Sequence, residues 1–154
     1  MRAVALLLVG LLMAGCGGQD GGWVFASHQR KAAERLLGTP LPAGAQDVRF
    51  HRHQHGGQFG DVEKYSAYLK FRASHSDYLE FMHRLEIVVL PGSAPELRAR
   101  LPGDWKLASG LRLDWWDPTL DIPDDTGMGS FGVNGFIVSK HERGFVYVKA
   151  SDIG

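Results

Sequence analysis

The chain has 154 residues, 44% of them apolar and 22% charged, which suits one folded domain and excludes a disordered or fibrous protein. Seventeen Lys and Arg balance seventeen Asp and Glu, so no bulk charge points to nucleic acid as a partner. A single cysteine excludes an internal disulfide framework and any cysteine-rich metal site.

The amino terminus opens with one cation, Arg2, followed by an almost wholly apolar run from Ala3 to Ala14. That run is shorter than the roughly 20 residues a helix needs to cross a bilayer, and fits the apolar region of an export signal. It ends in Met13-Ala14-Gly15-Cys16, where small residues leave a peptidase room to reach the backbone before a thiol. In these sixteen residues the chain resembles a bacterial lipoprotein precursor, and Met13-Ala14-Gly15-Cys16 resembles the lipobox, with Met13 where Leu is commonest. The resemblance implies cleavage before Cys16, a diacylglyceryl group joined to its sulfur through a thioether, an acyl chain on the new amine, palmitate-type chains in both, and stable membrane anchoring through several chains together. Gly17 stands where an Asp would, in that family, favour inner-membrane retention. The implied location is therefore the periplasmic face of the outer membrane in a diderm host. Residues 1–15 read as the signal peptide, 16–22 as the lipidated Cys and a Gly-rich flexible tether, and 23–154 as a single domain. Removing the signal takes away Arg2 and no acid, leaving the mature chain near neutral.

Ser27 is the expected cap of a first helix, His28 to Leu37, with Ala32, Ala33, Leu36 and Leu37 on its apolar side. Gly38 and Pro40 end it. From Asp47 to His55 the chain alternates, Val48 and Phe50 against Arg49, His51, His53 and His55. Turn residues Gly56-Gly57 and Gly60-Asp61 follow. Val62 to Ala73 alternates again, with Tyr65, Ala67, Leu69 and Phe71 on one side and Lys64, Ser66, Tyr68, Lys70 and Arg72 on the other. The two stretches predict an antiparallel hairpin with one apolar and one polar, cationic face.

Ser74-His75-Ser76-Asp77 has the form of a capping box, and Tyr78, Phe81, Met82 and Leu85 give one helical stripe to cover the hairpin's apolar side. Ile87 to Leu90 fits either a strand or the end of that helix. Ser93-Ala94-Pro95-Glu96 predicts a short helix to about Leu101. Leu111 to Trp115 alternates as a strand would. Phe131 to Lys140 and Phe145 to Lys149 predict a closing hairpin around residues 141–144. The pattern is α+β: an antiparallel sheet of about four to five strands packed against one or two helices.

Catalytic motifs are few. Met128-Gly129-Ser130-Phe131-Gly132 lacks the first glycine of a nucleophile elbow, and no P-loop or His-Glu-x-x-His occurs. His51, His53 and His55 share one side of a strand, so their imidazoles are candidate zinc ligands. Against this, Arg49, Lys64 and Lys70 lie on that side and disfavour a cation. The stretch containing Asp114, Asp117, Asp121, Asp124 and Asp125 supplies hard oxygen donors, but its spacing does not fit a helix–loop–helix calcium site. The loop from Asp117 to Gly129 is long enough to be a functional one. Lys64, Tyr68 and Lys70 on the cationic face, with one of the two indoles at Trp115-Trp116, assigned to Trp116, are the candidate partner contacts. An anionic surface or an envelope protein is the partner chemistry they suit. The sequence thus predicts a lipid-anchored envelope protein with a non-enzymatic binding or envelope-maintenance role and no cofactor beyond its lipid. A metal-binding lipoprotein using the histidine strand and an envelope hydrolase are the alternatives.

Overall fold

The computed structural model describes residues 20–55, 64–90, 105–119, 126–132 and 135–152. Cys16, the turn at 56–63 and the capping signature at 93–96 lie outside them. Among the described residues two helices, α1 (Asp20–Leu37) and α2 (His75–Arg84), accompany six strands: β1 (Gln46–His55), β2 (Lys64–Arg72), β3 (Val88–Leu90), β4 (Thr126–Phe131), β5 (Gly135–Glu142) and β6 (Phe145–Asp152). All strand pairs are antiparallel, in the order β1-β2-β6-β5-β4-β3. The fold is α+β, and the three-residue β3 brings the sheet to six strands.

α1 starts at Asp20, so the helix incorporates Asp20, Gly21 and Gly22, and Ser27 lies inside it. Lengthening a formed helix gains one hydrogen bond per residue fixed, which offsets the poor propensity of two glycines. Gly38, at φ 68°, provides the left-handed stop after Leu37. Arg30 then ties the helix to the connector, its guanidinium donating to the carbonyls of Leu41, Pro42 and Ala45. α2 is capped as its sequence predicts: Ser74 Oγ accepts from the Asp77 N–H at 3.1 Å.

β1 and β2 pair as the expected hairpin, Phe50 opposite Leu69 and His53 opposite Ser66, with one extra residue bulged between Gln46 and Arg49. The bulge coincides with Asp47 at φ 51°. β5 and β6 are joined by Arg143-Gly144, both at positive φ, as a two-residue hairpin turn of matching twist requires. β4, Thr-Gly-Met-Gly-Ser-Phe, has no strand-like alternation; it is a strand through its pairing with β3 and β5, and its glycines provide clearance. A Cβ on Gly127 would lie 2.5 Å from Ser139 Oγ and 2.9 Å from Ile87 Cγ2, so only glycine lets the chain pass there.

One face of the sheet carries the main core. Leu69 and Phe71 of β2, Val146, Val148 and Ala150 of β6 and Ile137 of β5 pack beneath Ala33 of α1 and Tyr78, Phe81 and Met82 of α2. Leu85 joins at the margin, and Tyr65 meets Phe131 edge-on. The apolar faces of the first hairpin and of α2 therefore meet as their periodicities require.

The opposite face is the main correction. It is not a solvated cationic surface: residues 105–119 run across it without regular secondary structure and bury it. Leu111 to Trp115 is part of this strap and not a strand. Its Leu111, Leu113 and Trp115 pack on the sheet while its backbone bonds to side chains and local turns instead of to a neighbouring strand. Residues 66–69 of β2 are consequently all buried, covered by helix on one side and strap on the other.

Candidate functional site

The strap is held by the residues that the alternation of β2, β5 and β6 places on its side. Tyr68, Val138 and Tyr147 form the floor, and Trp105 and Trp116 lie on it. The Trp116 ring meets Tyr68 at 5.1 Å and 76°, and Tyr147 at 5.6 Å and 82°, the edge-to-face geometry that the aromatic quadrupole favours. Its indole N–H donates to the Trp105 carbonyl at 3.0 Å, and the Tyr68 hydroxyl accepts from the Ala108 N–H at 2.8 Å.

Three lysines supply the donors that a strap without a ladder needs for its carbonyls. Lys149 donates to the carbonyl of Lys106, Lys70 to that of Trp115 and Lys140 to that of Thr119. Each ammonium also lies near an aromatic ring: Lys140 is 5.0 Å from Trp105, Lys149 5.9 Å from Tyr68 and Lys70 5.1 Å from Tyr147. A chain crossing a sheet in this way would bury polar backbone groups unpaired; the lysines, with Glu142 and Tyr68, remove that penalty.

Acidic groups complete the attachment. Asp117 Oδ1 accepts from Lys70 at 2.6 Å and from the Tyr147 hydroxyl at 2.8 Å. The Lys70 ammonium holds the Asp117 carboxyl below the ordinary carboxylate range; burial opposes this and Tyr147 adds to it. Burial, and then the Asp117 carboxylate, raise the Tyr147 phenol well above its usual value. Lys140 is fully buried and pairs with Glu142 at 2.8 Å, while Glu142 accepts from the Thr119 N–H at 2.9 Å and from Thr119 Oγ1. Burial alone would raise the Glu142 carboxyl, but hydrogen bonds from Lys140, Thr119 and Arg143 outweigh it and hold the group at about 2. These polar groups face one another and the strap's backbone, so the cluster works as an attachment.

Of the partner contacts expected from the sequence, Tyr68 and Trp116 are core residues and Lys70 is bonded beneath the strap. The reason is the second apolar layer, which the sheet's own alternation does not reveal. The side chain of Lys64 lies outside the described residues, as does that of His55. His51 and His53 do share a side of β1, half-buried, with ring centroids 6.4 Å apart and planes at 25°. Burial, and then the neighbouring His53, push the His51 imidazole below its usual value. Among the described residues no group of three His, Cys, Asp or Glu is placed to hold a metal ion. Of the acidic stretch, Asp114 sits exposed in a turn and Asp117 is bonded to the sheet.

Lys140, Glu142, Lys149 and Tyr147 were not candidates from sequence. The available signal is that Val138 and Lys140, and likewise Tyr147 and Lys149, are two residues apart in strands. They therefore share a side, which puts lysines in register with core residues. Among the described residues no helix is long and apolar enough to cross a membrane. Comparisons with protein-family models, curated proteins and solved structures find nothing that matches the chain.

Proposed function

We propose that the protein is a lipid-anchored envelope protein. Residues 1–15 export it, Cys16 carries the lipid, and the α+β domain has a non-enzymatic binding or envelope-maintenance role at the periplasmic face of the outer membrane. The observation that carries this reading is the sequence Met13-Ala14-Gly15-Cys16 at the end of a short apolar run that follows Arg2. The strap cluster supports the non-enzymatic part, because its charged groups are engaged by the strap's own carbonyls, amides and hydroxyls. The test is labelling with radioactive palmitate in a bacterial host that secretes the protein. The wild-type chain is expected to take up label and Cys16→Ser to take up none; an unlabelled wild-type chain would overturn the reading.

A second reading, zinc binding by the histidine strand, is favoured by one observation. His51 and His53 lie side by side on β1, with His51 shifted toward the neutral imidazole that a metal requires. Zinc titration followed by calorimetry separates the readings, since His51→Ala would abolish uptake only if the strand is a metal site.

A further inference from the structure

We propose that the outer face of α1 rests on anionic phospholipid headgroups of the membrane that carries the anchor, an inference that rests on the lipid-anchored reading. The inner side of the helix is accounted for by Ala33 in the core, Gln29 bonded to the β1 backbone at Phe50, and Arg30 bonded to the connector. The outer side presents His28, Lys31 and Arg35, all exposed and spaced i, i+3, i+7, so they form one stripe. Among the described side chains of α1 the sole acid is Glu34. It is turned away from that stripe, pairing with Arg30 at 3.0 Å and accepting from the Leu41 N–H. Lys31 and Arg35 are one turn apart and repel each other, so an anionic surface relieves a cost that the isolated domain carries.

The position of the anchor decides which anionic surface meets this stripe. Only residues 17–19 separate Cys16 from Asp20, the first residue of α1. Four residue steps reach at most about 14 Å whatever their conformation, so the acylated residue holds the start of the helix at the headgroup level. From Asp20 to Arg35 the helix rises about 22 Å, and laying it flat brings Lys31 and Arg35 within the roughly 8–10 Å over which headgroup charge is felt. A lipid anchor joined to a basic patch is the two-signal arrangement that makes membrane attachment stable. In this orientation the strap, on the other face of the sheet, points away from α1 and the bilayer.

The test uses two natural reporters in the full chain: Lys31 on the stripe, and Lys106, exposed on the strap. Purified protein is placed with vesicles of phosphatidylcholine, alone or mixed with phosphatidylglycerol, and its amines are acylated by a succinimidyl ester and read by mass spectrometry. Lys31 should react about fivefold more slowly on the mixed vesicles at low salt, the factor that roughly 1 kcal/mol per cation corresponds to. Lys106 should react equally on both, and high salt or Arg35→Glu should remove the protection of Lys31. Equal Lys31 rates on the two vesicles at low salt, or protection of Lys106 in place of Lys31, would overturn the proposal. The same spectra report the mass of the N-terminal peptide, so a chain without acyl groups is recognised separately. Such a chain would overturn the lipid-anchored reading and the proposal with it, whereas unprotected Lys31 on an acylated chain would overturn the proposal alone.

Discussion

Lys140→Met isolates the attachment of the strap. Lys140 is fully buried on β5, and its ammonium serves Glu142 at 2.8 Å, Thr119 Oγ1 at 3.1 Å and the Thr119 carbonyl. Methionine keeps most of the stem's volume and apolar contact, so the change removes the charge and its hydrogen bonds with little cavity cost. What remains is a Glu142 carboxylate whose side chain is only 9% exposed, together with a strap carbonyl that has lost its donor. Removing one partner of a buried ion pair costs about 3–5 kcal/mol, and because Arg143 still pairs with Glu142 at 3.0 Å the cost here falls at the lower end, about 3 kcal/mol. At a urea dependence of roughly 2 kcal/mol per molar, that moves the unfolding midpoint down by about 1.5 M.

The pH dependence supplies the sharper reading. Glu142 has a folded value of about 2 against an ordinary 4.5. Its contribution, on the order of 3 kcal/mol at most, is therefore fully present above about pH 4.5 and is lost as pH falls toward 2. Without Lys140 the folded value rises, so the gap between wild type and Lys140→Met should narrow through that window. Urea unfolding followed by tryptophan fluorescence, to which Trp105, Trp115 and Trp116 of the strap contribute three of the four indoles, measures both effects at pH 6 and pH 3. An unchanged midpoint, or a gap equally wide at the two pH values, would refute the attachment argument.

Truncating Leu69 or Phe81 to Ala in the main core should cost about 2–5 kcal/mol by denaturant unfolding, because both side chains are almost wholly buried and face each other's element. Gly127→Ala should destabilise by about 1–3 kcal/mol in the same assay, since its Cβ meets Ser139 and Ile87. Tyr68→Phe should cost about 1 kcal/mol by leaving the Ala108 N–H without its acceptor, and the loss should show in strap fluorescence before far-ultraviolet dichroism.

The helix side of the sheet was legible because both partners announce themselves by period. Leu69 and Phe71 alternate, while Phe81 and Met82 recur with the helical stripe, and each set needs the other. The strap side was hidden for a physical reason. Residues that cover a sheet without joining it have no period of their own, and the lysines beneath them look like a solvated face. Tyr68, Lys70 and Trp116 thus read as candidate contacts although they are buried or bonded to the strap. β4 was missed because Gly127 and Gly129 have poor strand propensity and are present for clearance instead. In α1, Ser27 is a competent cap that the helix passes through, since capping residues permit a start without compelling one.

The central claim is that this chain is exported and lipid-anchored through Cys16. The most direct measurement is the intact mass of the mature protein purified from its membrane fraction. The expected mass is that of residues 16–154 plus a diacylglyceryl group and an amide-linked acyl chain, all of the excess lying on the peptide that begins with Cys16. A mature chain that retains residues 1–15, or one that begins at Cys16 with no acyl mass, would contradict it.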